Sequence, residues 1–144
     1  MRVLFDTNVV LDALLDREPW ADAAVALFDK VESGELIGHL GATTLTTVHY
    51  IANRNVGADA AEGVMRDLLR LFEVAPVNRA VLEGALDLGF TDFEDAVLHE
   101  AGRSVGAGAL TTRDPAGFRK ATLRVYAPDA LVAVLEDAEG PQNP

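Results

Sequence analysis

Four aspartates hold the chemical interest of this sequence because of where the chain puts them. Asp6 directly follows the apolar run Val3-Leu4-Phe5, and Asp114 comes three residues after a second apolar run at 107–111. Asp92 and Asp95 open a stretch of helical periodicity and share one helix face with His99, away from Phe93, Val97 and Ala101. Carboxylates gathered without cationic partners repel one another, and their pKa values rise unless a cation neutralises them. These residue types call for Mg²⁺ or Mn²⁺, since hard divalent ions choose oxygen ligands and keep several waters. Each acid taken singly also fits a plainer role. Asp6 and Asp92 suit helix caps, Asp95 a solvated helix face, and Asp114 before Pro115 a turn. His99 reads as a surface residue of an amphipathic helix.

Positioning the acids falls to an alternation of short apolar runs and amphipathic stretches. Residues 2–5 suit a strand buried on both faces. From Pro19 the residues Trp20, Ala24, Leu27 and Val31 repeat at the spacing of one helix face, more as core than as interface, and Gly34 ends the pattern. A strand at 36–40 precedes a helical stripe of Leu45, Val48 and Ile51 that stops before Gly57. A helix over 58–72, a strand over 72–75 ended by Pro76 and a helix over 79–88 follow. Thr91-Asp92-Phe93-Glu94 is a capping-box pattern for the next helix, which Gly106 closes. Strands at 107–111 and 123–126 and a helix from Pro128 complete the pattern. Such alternation predicts an α/β domain with a mostly parallel sheet, in which ligands bind beyond the carboxyl ends of the strands. A single domain over residues 1–138 is expected, with 139–144 as a loose tail.

Composition narrows the possibilities. The chain of 144 residues carries 12 Lys+Arg against 23 Asp+Glu, a formal net charge of −11, with no cysteine. A disulfide framework and any thiolate site are thereby excluded, and a reducing cytoplasm is the expected location. The longest uncharged run, 36–53, contains four Thr, two Gly and two His, so no membrane span is expected. A chain this acidic lacks the broad basic footprint that holds nucleic acid by counterion release, so an anionic partner must be captured locally. Four of the twelve basic residues, Arg113, Arg119, Lys120 and Arg124, crowd around Asp114 and are the candidates for backbone contacts.

The motifs resemble those of the PIN-domain nucleases. Asp6-Thr7-Asn8-Val9-Val10-Leu11-Asp12 looks like that family's opening motif, and Asp92-Phe93-Glu94-Asp95-Ala96 like its third acidic position. Leu110-Thr111-Thr112-Arg113-Asp114 with Gly117-Phe118 is similar to its fourth motif, in order and spacing over roughly residues 1–130. The resemblance implies a three-layer α/β/α domain with sheet order 3-2-1-4-5 and an acidic pocket. It further implies Mg²⁺- or Mn²⁺-dependent endonucleolytic hydrolysis of RNA by a VapC-like toxin, a small antitoxin partner and a homodimer. Carried over by position, Asp6, Asp95 and Asp114 are the metal-proximal acids and Asp92 a further catalytic candidate. Thr7 and Asn8 would bond around the first acid, and Thr111 or Thr112 would steady the pocket.

One departure stands out. The family places an acid, mostly Glu, early in the helix after the second strand, whereas this chain has no Asp or Glu anywhere from 36 to 58. Thr47 is the nearest equivalent; its hydroxyl can orient a water or touch an ion, but it supplies no charge. The expected chemistry is a divalent ion that acidifies a bound water for in-line attack on phosphorus. The alternative is a catalytically weakened PIN-like binding or regulatory protein. A phosphohydrolase using Asp6 as nucleophile would want a second carboxylate two residues on, where the chain has Asn8. A phosphoaspartate receiver would want paired acids at the first strand and a Lys after the last, and neither is present.

Overall fold

A computed structural model describes residues 1–139. The order of elements is β1 (Arg2–Phe5), α1 (Thr7–Leu14), α2 (Ala21–Glu32), β2 (Ile37–Gly41), α3 (Ala42–Val56), α4 (Ala58–Leu71), β3 (Glu73–Ala75) and α5 (Arg79–Leu86). It continues through α6 (Phe93–Ser104), β4 (Ala109–Thr111), a 3-10 turn (Pro115–Phe118), β5 (Arg124–Tyr126) and α7 (Pro128–Glu139). Of the tail expected over 139–144, Glu139 ends α7 and 140–144 lie outside the described residues. The five strands form one sheet in the order β3-β2-β1-β4-β5 with every pairing parallel. This is the order that the motif resemblance implies.

The pleat of β1 divides the core. Val3 and Phe5 point to one face, against α1, α2, α3, α4 and α7, while Leu4 points to the other, against α5, α6 and Phe118. All three are fully buried, as a strand central to a parallel sheet requires. On the first face Phe5, Phe28 and Phe72 meet edge to face, with ring centroids 5.1 to 6.1 Å apart. Gly38 on β2 leaves room for the Phe72 ring, and Gly41, at the start of α3, leaves room for Leu98 of α6.

The structure corrects the sequence reading in four places. Helix α1 was not expected, because Val9, Val10, Leu11 and even Asp12 are buried, and the segment has no solvated face for periodicity to reveal. Trp20 precedes α2 and keeps 42% of its surface exposed, so the core stripe starts at Ala21 and Ala24. The capping box at Thr91 does not form; Asp92, whose plainer reading was a helix cap, caps α6, its side chain accepting the N–H of Asp95. His99 is fully buried and Phe93 is exposed, each against expectation, while Val97 and Ala101 are buried as expected. His99 Nε2 accepts the main-chain N–H groups of Thr122 at 3.0 Å and Leu123 at 3.2 Å, and so pins the chain ahead of β5 to α6. Burial lowers its pKa, and the nearby Glu100 only partly offsets this.

A side chain at Gly38 tests the tightness of the aromatic layer. Its Cβ would lie 2.6 Å from two Phe72 ring carbons and 3.0 Å from Val31, and Phe72 is hemmed in by Phe5 and Phe28. Gly38→Ala should therefore destabilise the fold by about 1–3 kcal/mol, lowering the urea midpoint with little change in slope. An unchanged midpoint would show that the layer yields.

Candidate active site

The strand order reverses at β1. From β1 the chain steps outward through β2 and β3, then returns to β4 and β5 on the other side. Phe5 and Thr111 stand opposite each other at the carboxyl ends of β1 and β4, and a switch point of this kind opens a crevice beyond the sheet. Asp6 enters it from β1, Thr112-Arg113-Asp114 from β4, and Asp92, Glu94 and Asp95 from the start of α6.

Asp6 is held on three sides. Its N–H donates to the Thr111 carbonyl at 2.9 Å, its Oδ1 accepts from Thr7 N–H at 2.8 Å, and its Oδ2 accepts from the Thr112 hydroxyl at 2.8 Å. The same Thr112 oxygen accepts the N–H of Asp114 at 3.0 Å, so one hydroxyl ties the acid after β1 to the acid after β4. Asp6 is therefore both the cap of α1 and a member of the acidic group. Burial raises its pKa, the bonds from the Thr112 hydroxyl and the Thr7 main-chain N–H pull it back, and the charges of Glu94 and Asp114 raise it again.

Asp95 feels the group most. Burial comes first, then the charges of Asp6, Asp92, Glu94 and Asp114, and together they push its carboxyl up to about 7. Five carboxylates thus interact in one place. Among the described residues none of them is paired with Lys, Arg or His. Arg113, the nearest guanidinium in sequence, pairs instead with the buried Asp12 at 3.4 Å and lies 4.0 Å over the Trp20 ring.

Gly117 sits between two of the acids. A Cβ there would lie 3.0 Å from Asp114 Oδ2 and 3.2 Å from Asp95 Oδ2, so the missing side chain leaves an opening flanked by both oxygens. Among the described residues no three acidic or imidazole groups close tightly enough to enclose an ion. An opening with a carboxylate on either side nevertheless suits Mg²⁺ or Mn²⁺. Mg²⁺ is usually held by one or two carboxylates, with waters and phosphate oxygens completing its shell. The donor set is all hard oxygen, and its charges lack a counter-cation, so the residues fit such an ion.

The remaining candidates fall into place unevenly. Thr7 bonds Asp6 through its main chain, while its hydroxyl meets that of Thr44 at 2.7 Å. Asn8 makes no bond to Asp6, and its side-chain carbonyl is buried without a partner, as is the Thr111 hydroxyl. Thr47 is half-buried on α3, and its hydroxyl makes no hydrogen bond among the described residues. Thr44, fully buried at the start of α3, is the threonine that reaches the switch point. Sequence reasoning passed over it because the run Thr43-Thr44-Leu45-Thr46-Thr47 offers four equivalent hydroxyls. Arg119 and Lys120 line a recess with Phe90, Thr91 and Gly117, next to the Asp95–Asp114 opening. Arg124 is exposed and donates to the Tyr126 hydroxyl.

A family model described as "PIN domain" matches residues 2–116. A comparison with curated protein sequences finds no match. Among solved structures, VapBC2 from Rickettsia felis bound to a DNA fragment from its promoter is 12% identical, covering 88% of this chain and 98% of that one, with a TM-score of 0.69. A toxin-antitoxin complex from Klebsiella pneumoniae is 19% identical over 88% and 97% of the two chains, TM-score 0.67. VapC20 from Mycobacterium tuberculosis, a sarcin-ricin loop cleaving toxin, is 18% identical over 75% and 86%, TM-score 0.56. At these identities the likeness is one of fold.

The raised pKa of Asp95 has a measurable consequence. In the folded, metal-free protein the carboxyl keeps its proton to about 7, against an ordinary 3.8. Its contribution to stability is complete below the ordinary value and is lost as pH rises through the folded one. In EDTA, Asp95→Asn should therefore gain melting temperature over the wild type as pH rises from about 4 to about 7, levelling off above that window. A difference that stays constant with pH would mean that neither burial nor the neighbouring acids raise the Asp95 pKa.

Proposed function

The chain belongs to the PIN domain family, and on that premise we propose that it is a divalent-metal-dependent endoribonuclease, the toxin of a toxin–antitoxin pair. One observation carries the reading. Asp6, Asp92, Glu94, Asp95 and Asp114 crowd the switch point without a cationic partner among the described residues, and Gly117 keeps an opening between two of them. RNA as substrate and an antitoxin as partner are supported by the likeness to a sarcin-ricin loop cleaving toxin and to a toxin-antitoxin complex. A homodimer in the cytoplasm belongs to the same reading.

The division of labour follows from the geometry. Asp95 and Asp114 would hold the ion from either side of Gly117, with Asp6 fixed behind them by Thr7 and Thr112. When bound, Mg²⁺ or Mn²⁺ supplies a Lewis acid for the phosphate and acidifies a coordinated water. Thr112 bonds the Asp6 carboxylate and the Asp114 main chain through one hydroxyl, which tethers the segment bearing Asp114 to Asp6. Asp92 caps α6 and adds charge beside Asp95, which favours a doubly positive ion. Arg119 and Lys120, beside the opening, would neutralise phosphates of the incoming strand, whereas Arg124 stands at the amino end of β5, away from the crevice.

A second reading rests on α3. That helix offers Thr44 and Thr47 where the resemblance expects an acid, and Thr44 is already bonded to Thr7. A site short of one charge would hold its ion loosely, and the protein would then bind RNA or a partner without cutting.

Cleavage of a mixed single-stranded RNA in Mn²⁺, Mg²⁺ or EDTA separates the two readings. The nuclease reading expects cleavage with either ion, none in EDTA, and a loss of about a hundred-fold or more in Asp6→Asn and Asp114→Asn. Cleavage that persists in EDTA, or that those variants leave intact, overturns it; RNA binding with no cleavage in Mn²⁺ supports the second reading. Gly117→Ala keeps every acid but fills the opening. It should raise the Mn²⁺ concentration for half-maximal rate by about ten-fold, a shift on the scale of lost metal-site support.

A further inference from the structure

A second recess opens on the far side of Arg113 from the acids. It holds about 390 Å³ and is lined by Pro19, Trp20, Arg113, Pro128 and Asp129 among others. Such a volume lies within the range of small-ligand sites, and its walls are unlike those of the acidic crevice. Trp20 is 42% exposed although it is the chain's one tryptophan and a large apolar group. The Arg113 guanidinium lies 4.0 Å over the indole ring and is held there by its ion pair with Asp12, which is only 1% exposed. Arg113 is thereby fixed as a flat wall and is not a mobile phosphate contact. Among the described residues its two terminal amino groups carry no hydrogen bond. Asp129, which lines the same recess at the start of α7, accepts the N–H of Ala130 through Oδ1 at 2.9 Å, leaving Oδ2 without a protein donor among the described residues.

Resting on the ribonuclease reading, we propose that this recess seats a guanine base of the RNA strand whose backbone crosses the acids. Three physical arguments converge on that occupant. Arg113 lies between Thr112 and Asp114 in the chain, so the recess begins one residue from two members of the acidic crevice. A chain of net charge −11 gains little RNA affinity from counterion release, so stacking must supply what charge does not. An indole is a surface on which an unstacked RNA base rests, and a guanidinium fixed beside it offers in-plane N–H groups to that base's edge. Guanine is the base whose edges match both polar walls. Its N1–H and N2–H₂ donate to a carboxylate, and its O6 and N7 accept from a guanidinium. Uracil offers no amino group to Asp129, and cytosine and adenine offer one each without the adjoining ring N–H.

Trp20, as the sole tryptophan, reports on its own pocket. The probes are four pentaribonucleotides, UUNUU with N as each base, titrated in EDTA while tryptophan fluorescence is read. The expected result is saturable quenching with UUGUU bound about ten-fold tighter than UUUUU, the size of one paired polar recognition. Asp129→Asn keeps a side-chain acceptor for Ala130 N–H, so α7 retains its cap, yet it should abolish the guanine preference. Quenching that fails to saturate, a preference for another base or for none, or a guanine preference that survives Asp129→Asn overturns the assignment. Metal-dependent cleavage is scored separately on the same protein. Cleavage without guanine-selective quenching removes the base pocket and leaves the nuclease standing; selective quenching without cleavage does the reverse.

Discussion

Repulsion among like charges is the constraint around which this structure is organised. Asp6, Asp92, Glu94, Asp95 and Asp114 arrive from three separated parts of the chain, and no described cation separates them. In water such groups drift apart; here they are kept near one another by elements that cannot move independently. Asp6 follows the central strand, which is buried on both faces, and Asp114 follows the strand paired beside it. The Thr112 hydroxyl links the two directly. Asp95 is in the first turn of α6, whose apolar side packs on Leu4 and Leu110. Core burial thus holds together charges that would otherwise separate, and the resulting strain on Asp95 is visible in its raised pKa.

The surroundings of the acids are ordered by the same elements. Buried His99 of α6 accepts two main-chain N–H groups just before β5, which anchors the segment carrying Arg119 and Lys120 to the helix that carries Asp92 and Asp95. Phe118 packs edge to face on Phe90 with centroids 5.9 Å apart, and this fixes Gly117 over the opening between Asp95 and Asp114. On the other flank, alternation along the Thr112-Arg113-Asp114 segment sends the middle side chain away from the acids, toward Asp12 and Trp20. One short segment therefore serves two neighbouring recesses of different character, an acidic one and one lined by Trp20, Arg113 and Asp129.

Much of this was legible in the sequence. The alternation of elements identified the α/β class, and the spacing of Asp6, Asp95 and Asp114 matched strand ends and a helix start that the fold brings to one switch point. Long-range pairings were not legible. Nothing in the periodicity of α1 marked it as a helix, because its polar residues Thr7 and Asp12 are buried with its apolar ones. His99 looked solvated because its neighbours in the chain say nothing of the two N–H groups 23 and 24 residues away that its ring accepts. Arg113 was expected at the RNA backbone, yet Asp12, a hundred residues earlier, decides its position. Thr44 was hidden among equivalent threonines until Thr7 singled it out.

The central claim is that these acids are gathered to share a divalent ion. Crystals of the wild-type protein soaked in Mn²⁺ and measured at a wavelength where manganese scatters anomalously test it most directly. The account predicts an anomalous peak within coordinating distance of Asp95 and Asp114, at the opening beside Gly117. A map with no peak there at Mn²⁺ concentrations that occupy other sites would contradict it.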